Sequence, residues 1–135
     1  MSTRATVVAF LTTLIVFVAL DAAWLTLFAF DMFKREIGSI LRAQPYLGAV
    51  GVLYLLYATA LTALAVMPAV ERGHVAGAAW RGALLGLCAY ATYDLTNYAT
   101  LNGYSMTLAF KDMAWGTAAS TAASVAGFWI ATRLR

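Results

Sequence analysis

Charge is what this chain has least of. Asp and Glu together number six and Lys plus Arg nine, so charged residues make up 11% of the sequence. A soluble domain is roughly 25% charged, and so low a share excludes an ordinary water-exposed surface. The single cysteine, Cys88, sits in an apolar run. It excludes an internal disulfide and any cysteine-based metal cluster, and reads as a small buried apolar residue. The single histidine, His74, stands in a short polar turn without partners at ligand spacing, so zinc chemistry has no ligand set. The sequence has no Ser-His-Asp set, glycine-rich phosphate loop or cofactor fingerprint, and no metal or cofactor is implied. No basic cluster with interleaved aromatics points to nucleic acid.

What is present is apolar. Hydrophobic residues make up 63% of the chain and the mean hydropathy is +0.79. A membrane-crossing helix needs about 20 apolar residues. The 135 residues accommodate four such spans with short loops, at about 5–30, 46–69, 76–101 and 107–132. The expected fold is an all-α membrane protein, a four-transmembrane-helix bundle forming one integral domain over 1–135. Arg4 precedes the first apolar run as in a signal peptide. That run exceeds a signal core of about 7–15 residues and lacks a small-residue cleavage site, so it is expected to be retained.

Residues 31–44 form the one amphipathic connector: Met32, Phe33, Ile37, Ile40 and Leu41 recur at helical spacing among Lys34, Arg35, Glu36 and Arg42. A short interfacial helix between spans 1 and 2 is expected there, with a plain polar loop before Pro45 as the alternative. Orientation is weakly specified. Arg4, Arg72, Arg81, Arg133 and Arg135 fall on one side, and Lys34, Arg35, Arg42 and Lys111 on the other. That bias slightly favours both termini inside and leaves dual topology open.

Three of the six acidic residues, Asp21, Asp94 and Asp112, lie within spans. An ionisable group at bilayer depth costs about 2.5–3.5 kcal/mol on insertion scales and marks a polar interior, an ion path or a pair. At 1.5 Å per residue, the three carboxylates fall in the same leaflet half, and Tyr54 and Tyr57 of span 2 fall there too. With no cation within a helical turn except Lys111, desolvation and repulsion favour at least one of Asp21 and Asp94 holding its proton. A tyrosine or Asn97 is its expected partner.

Span 3 carries the densest polar run, Tyr90-Ala-Thr-Tyr93-Asp94-Leu-Thr-Asn97-Tyr98. Helical spacing puts Tyr90, Asp94 and Asn97 on one face with Tyr93 at its margin. Interhelical hydrogen bonds average only about 0.6 kcal/mol in membranes, so packing alone is a weak reason for an aspartate. Asp112 admits a plainer reading as a helix cap. Asp21-Ala-Ala-Trp24 and Asp112-Met-Ala-Trp115 share a pattern that places an indole beside each carboxylate, although Trp is also a common interfacial anchor. Gly82 and Gly86 in span 3, and Gly116, Ser120, Ser124 and Gly127 in span 4, form small-residue seams. They read as packing within the chain, with a homodimer face as the alternative.

The stretch from Gly86 to Trp115, with its Tyr-Ala-Thr-Tyr-Asp-Leu-Thr-Asn-Tyr-Ala-Thr-Leu run and later Asp-Met-Ala-Trp-Gly, resembles a bacterial family of small membrane proteins catalogued as domain of unknown function 2177. Asp21 with Trp24, the Leu53–Tyr57 segment and Pro68 extend the resemblance over nearly the whole chain. It implies a multi-pass protein of the bacterial inner membrane and supplies no activity.

The expected site comprises Asp21, Trp24, Tyr54, Tyr57, Tyr90, Tyr93, Asp94, Asn97, Asp112 and Trp115, with the bilayer as surroundings. Its chemistry fits binding, or proton- or cation-linked transport, of a small or lipid-like ligand, and so few helices would favour a homodimer for transport. The alternatives are an accessory subunit whose polar face docks a partner, or a lipid-modifying enzyme with Asp94 or Asp21 as general acid or base.

Overall fold

The computed structural model describes residues 1–135 as four helices. Helix α1 spans Thr3–Ile40, α2 Leu47–Arg72, α3 Val75–Thr100 and α4 Met106–Arg133. Ser2 caps α1 by accepting from the Ala5 amide, and Ser105 caps α4 by accepting from the Leu108 amide. Gly73, at φ +73°, closes α2 in the left-handed conformation that glycine, having no Cβ, adopts without strain. Helix α3 begins at Val75, so the α2–α3 connection is a turn of two residues.

Two of the helices, α1 and α2, are long and apolar enough to cross a membrane. At 26 and 28 residues, α3 and α4 have the length. Their sequences are diluted by the polar side chains that form the site. Four spans of equal hydropathy are therefore not what the chain presents.

The connector after span 1 differs from expectation. Residues 31–40 do not form a separate interfacial helix but continue α1 as one 38-residue rod. A single π turn at Leu25–Ala29, where the Phe30 amide reaches back to the Leu25 carbonyl, keeps the helix unbroken. The amphipathic face is real, but it is buried on protein. Phe33 and Ile37 pack with Ala29 of the same helix, Tyr104 of the 101–105 loop, and Leu108 and Ala109 at the start of α4.

Helices α3 and α4 form the tightest pair, and α1 lies against α4. A Cβ at Gly86 would stand 2.6 Å from the Gly116 carbonyl oxygen, so the backbones touch along the seam. This close approach is what glycine permits. Helix α2 joins the bundle mainly through its C-terminal half, where Thr62, Ala65, Val66 and Val70 are buried. Its N-terminal half rests chiefly on α1, leaving Leu53, Leu55 and Leu56 exposed.

Pro68 lies inside α2 and cannot donate to the Leu64 carbonyl one turn before it. Two features absorb the loss. The preceding turn, Thr62–Val66, widens to a π turn, and Arg81 Nη1 donates to the Leu64 carbonyl at 3.3 Å. The same guanidinium lies 4.9 Å from the Trp80 ring centroid.

An apolar cluster of Ala9, Val66, Val70, Phe128 and Ala131 fills the end of the bundle that holds both termini. There Arg135 Nη1 donates to the Val70 carbonyl at 2.6 Å. The opposite end carries the residue 41–46 and 101–105 loops.

Candidate functional site

All three of these aspartates point inward: Asp94 is 0% exposed, Asp112 4% and Asp21 8%. Each meets neutral donors. Asp21, on α1, accepts from the Tyr54 phenol at 2.5 Å and from the Tyr90 phenol at 2.7 Å. The carboxylate is thus held between α2 and α3. Asp112 accepts from Trp24 Nε1 at 2.9 Å, which ties α4 to α1. Asp94 accepts from the Tyr104 phenol at 2.5 Å.

The three groups form a series. The α3–α4 register that sets Gly82 against Ser124, Gly86 against Ser120 and Tyr90 against Gly116 sets Asp94 against Asp112 one turn further on, while Asp21 is tied to Tyr90 one turn before Asp94. No Lys, Arg or His hydrogen-bonds to any of them; every partner is a phenol or an indole. Lys111, next to Asp112 in sequence, is exposed.

Aromatic rings pack the site. Phe17 lies 4.9 Å from the Tyr57 ring centroid and 6.5 Å from that of Tyr90, both edge-on. Trp24 and Trp115 stack at 5.3 Å with planes 12° apart. Tyr57 shares a 2.6 Å hydrogen bond with Ser120. One and two turns further along lie Ser124 and Thr13, both fully buried and without hydrogen-bond partners. Polar groups therefore extend past the acidic layer toward the apolar end.

Several expected positions land elsewhere. Tyr93 is 49% exposed and leans edge-on against Phe33 at 6.2 Å, at the rim of the site. Asn97 lies beside Tyr93 and Tyr104 rather than on an aspartate. Trp115 does not donate to Asp112, and its Nε1 is buried without a partner. The indole on Asp112 comes from α1, so the repeated Asp-x-Ala-Trp pattern pairs across helices. Asp112 is not a cap: Ser105 fills that role, and Asp112 lies further into α4. Cys88 is exposed rather than buried. An apolar helix has no periodic contrast between core and outer face, so the sequence could not place it.

Tyr104 is the residue that sequence reasoning missed. A lone tyrosine in a short loop reads as an interfacial anchor, yet this one is 4% exposed and plugs the site. Gly103, at φ +85°, turns the loop back so that the phenol reaches Asp94. Burial, with Asp94 beside it, pushes the Tyr104 phenol well above its ordinary range and keeps it a neutral donor. The one available signal was its position between Asp94 and Asp112 in a loop too short to let it wander.

Residues 6–129 match the family described as "Predicted membrane protein (DUF2177)". The chain belongs to this family. The match covers Asp21, Asp94, Asp112 and every tyrosine and tryptophan named above, so the acidic core lies within the family's domain. No curated protein and no solved structure matches the chain. The family description supplies the membrane and no activity.

Proposed function

We propose that this DUF2177 protein is a multi-pass protein of the bacterial inner membrane, with α1 to α4 as four spans. In this reading its acidic core binds a small or lipid-like cationic ligand in exchange for a proton. The observation that carries it is the setting of Asp21, Asp94 and Asp112, three buried carboxyls partnered only by neutral donors. Buried charge without a counter-charge is costly. A proton or an incoming cation would relieve that cost. The stacked Trp24 and Trp115 beside Asp112 supply π-faces of the kind that attract cations.

The apolar cluster at the termini end supports binding over passage. Ala9, Val66, Val70 and Phe128 leave no polar group to continue the path beyond Thr13 and Ser124. Exchange from the loop end alone suits a binding protein better than a conduit. The test is titration of the purified protein, in weakly buffered neutral micelles, with dodecyltrimethylammonium. Proton release accompanied by a tryptophan fluorescence change is expected, and both should be lost in Asp94→Asn. Absence of any binding at millimolar probe would overturn the reading.

The exposed N-terminal half of α2, with Leu53 and Leu56 facing outward, favours a second reading. There the chain would be an accessory subunit, or one half of a homodimer, with another helix covering this face. A stoichiometric complex from native membranes, lost in Leu53→Trp, would support it.

A further inference from the structure

Asp94 is fully buried, and its two oxygens differ. Oδ1 accepts from Tyr104, whereas Oδ2 is buried with no donor at all, and the α3–α4 register that pairs Gly82 with Ser124 and Tyr90 with Gly116 sets Asp112 opposite Asp94. Two facing carboxyl groups carry no hydrogen between them unless one is protonated. A metal bridge would need more: structural metal sites draw on three or more protein ligands or on bound waters, and no group of three His, Cys, Asp or Glu side chains converges here. Asp21 differs again, because two phenols already satisfy it as an anion.

We propose that Asp94 and Asp112 form an acid pair holding one exchangeable proton between Asp94 Oδ2 and the Asp112 carboxyl, with Tyr104 as the plug that controls its exchange with water. This rests on the reading of the core as a proton-exchanging site and names the group that carries the proton. In the resting state the pair bears one proton and one negative charge. Loss of the proton to water leaves two carboxylates, and an incoming monovalent cation restores the same net charge.

The surroundings fit. From α1, Trp24 donates to Asp112, leaving the far side of the pair for the proton. From α3, Tyr90 is committed to Asp21, while Tyr93 and Asn97 stand at the rim as neutral groups. From the α1 extension, Glu36 lies against the 101–105 loop, its backbone carbonyl 3.0 Å from where a Cβ on Gly103 would sit. Lys34 and Arg35 of that extension and Lys111 of α4 are exposed, Arg81 of α3 is on the Leu64 carbonyl, and none of them hydrogen-bonds to the pair. On the loop side, the buried Tyr104 ring packs with Phe33 and Ile37 and carries its phenol onto Asp94. The left-handed Gly103 beside it provides a pivot that no substituted residue would match.

The experiment is infrared difference spectroscopy of the purified protein without ligand, in water and in heavy water. A protonated-carboxyl stretch is expected at neutral pH in wild type. It should disappear in both Asp94→Asn and Asp112→Asn, where the new amide donates to the remaining carboxylate, and should persist in Asp21→Asn. Tyr104→Phe should shift the band to higher frequency, since the carbonyl loses a hydrogen bond, and Tyr104→Ala should speed its deuterium exchange. The band shift reads the pair even if an Asn variant fails to fold. No band in wild type between about pH 5 and 9, or a band lost only in Asp21→Asn, would overturn the pair. Because no ligand is added, that failure is distinct from a failure to bind alkylammonium.

Discussion

Asparagine and leucine separate the roles of Asp94. It meets one donor, Tyr104, and stands opposite one carboxyl, Asp112. Asn keeps an acceptor for the phenol and offers an amide to Asp112, so Asp94→Asn should stay within about 1 kcal/mol of wild type. Asp94→Leu strands both neighbours and should cost about 1–3 kcal/mol for each; thermal melting in micelles checks the ordering. Tyr104 gives a pH-dependent readout. Its folded value lies above the unfolded 10.0, so its stabilising contribution is complete below that pH and falls as pH climbs beyond it. Tyr104→Phe should therefore melt below wild type at neutral pH, and the gap should narrow above about pH 10, by up to about 1.4 kcal/mol per pH unit. A gap that stays constant would mean the phenol is not held neutral in the fold. Much of this site was legible beforehand, because carboxylates, phenols and indoles are rare enough in an apolar chain to be counted and placed by depth. What was not legible is which donor meets which acceptor. Trp24 with Asp112, and Tyr104 with Asp94, are tertiary choices that no local spacing encodes.

Elements show the same division. The start of α2, the turn at Gly73 and the short loop before α4 follow from apolar runs, Gly and Pro. The continuation of α1 through residues 31–40 does not, since a face of Phe33 and Ile37 fits a headgroup layer as well as it fits Leu108. Pro68 illustrates how one element leans on another. Its missing amide leaves the Leu64 carbonyl to Arg81, so Arg81→Met should cost about 1 kcal/mol in the Pro68 background. In Pro68→Ala, where the helix can close its own hydrogen bond, the same change should cost clearly less. A double-mutant cycle measures the difference, and additive effects would deny the link. The α3–α4 seam is less forgiving. Gly86→Ala sets a methyl group against the Gly116 carbonyl and Ser120, and should destabilise by about 1–3 kcal/mol through forced separation of the helices.

At the scale of the molecule, the fold sharpens a question that charge counting left nearly balanced. Arg81 is not an end charge, because it lies nearly two turns into α3, where its guanidinium reaches the Leu64 carbonyl and the Trp80 ring. The termini end then presents Arg4, Arg72, Arg133 and Arg135, against Lys34, Arg35, Arg42 and Lys111 at the loop end. Orientation in a bilayer follows Lys and Arg near span ends rather than net charge, so an even balance makes it easy to tip. Cysteine scanning in a Cys88→Ala background should label Ser2 and Arg72 from one side and Arg42 from the other within each molecule, because the turn at Gly73 and the apolar cluster hold the termini end together. Two lysines added beside Arg42 should shift that labelling toward the opposite sidedness in a large share of molecules, without altering the melting temperature. Labelling that stays fixed would mean that packing order during insertion, and not rim charge, decides which face of the membrane the Tyr104 plug meets.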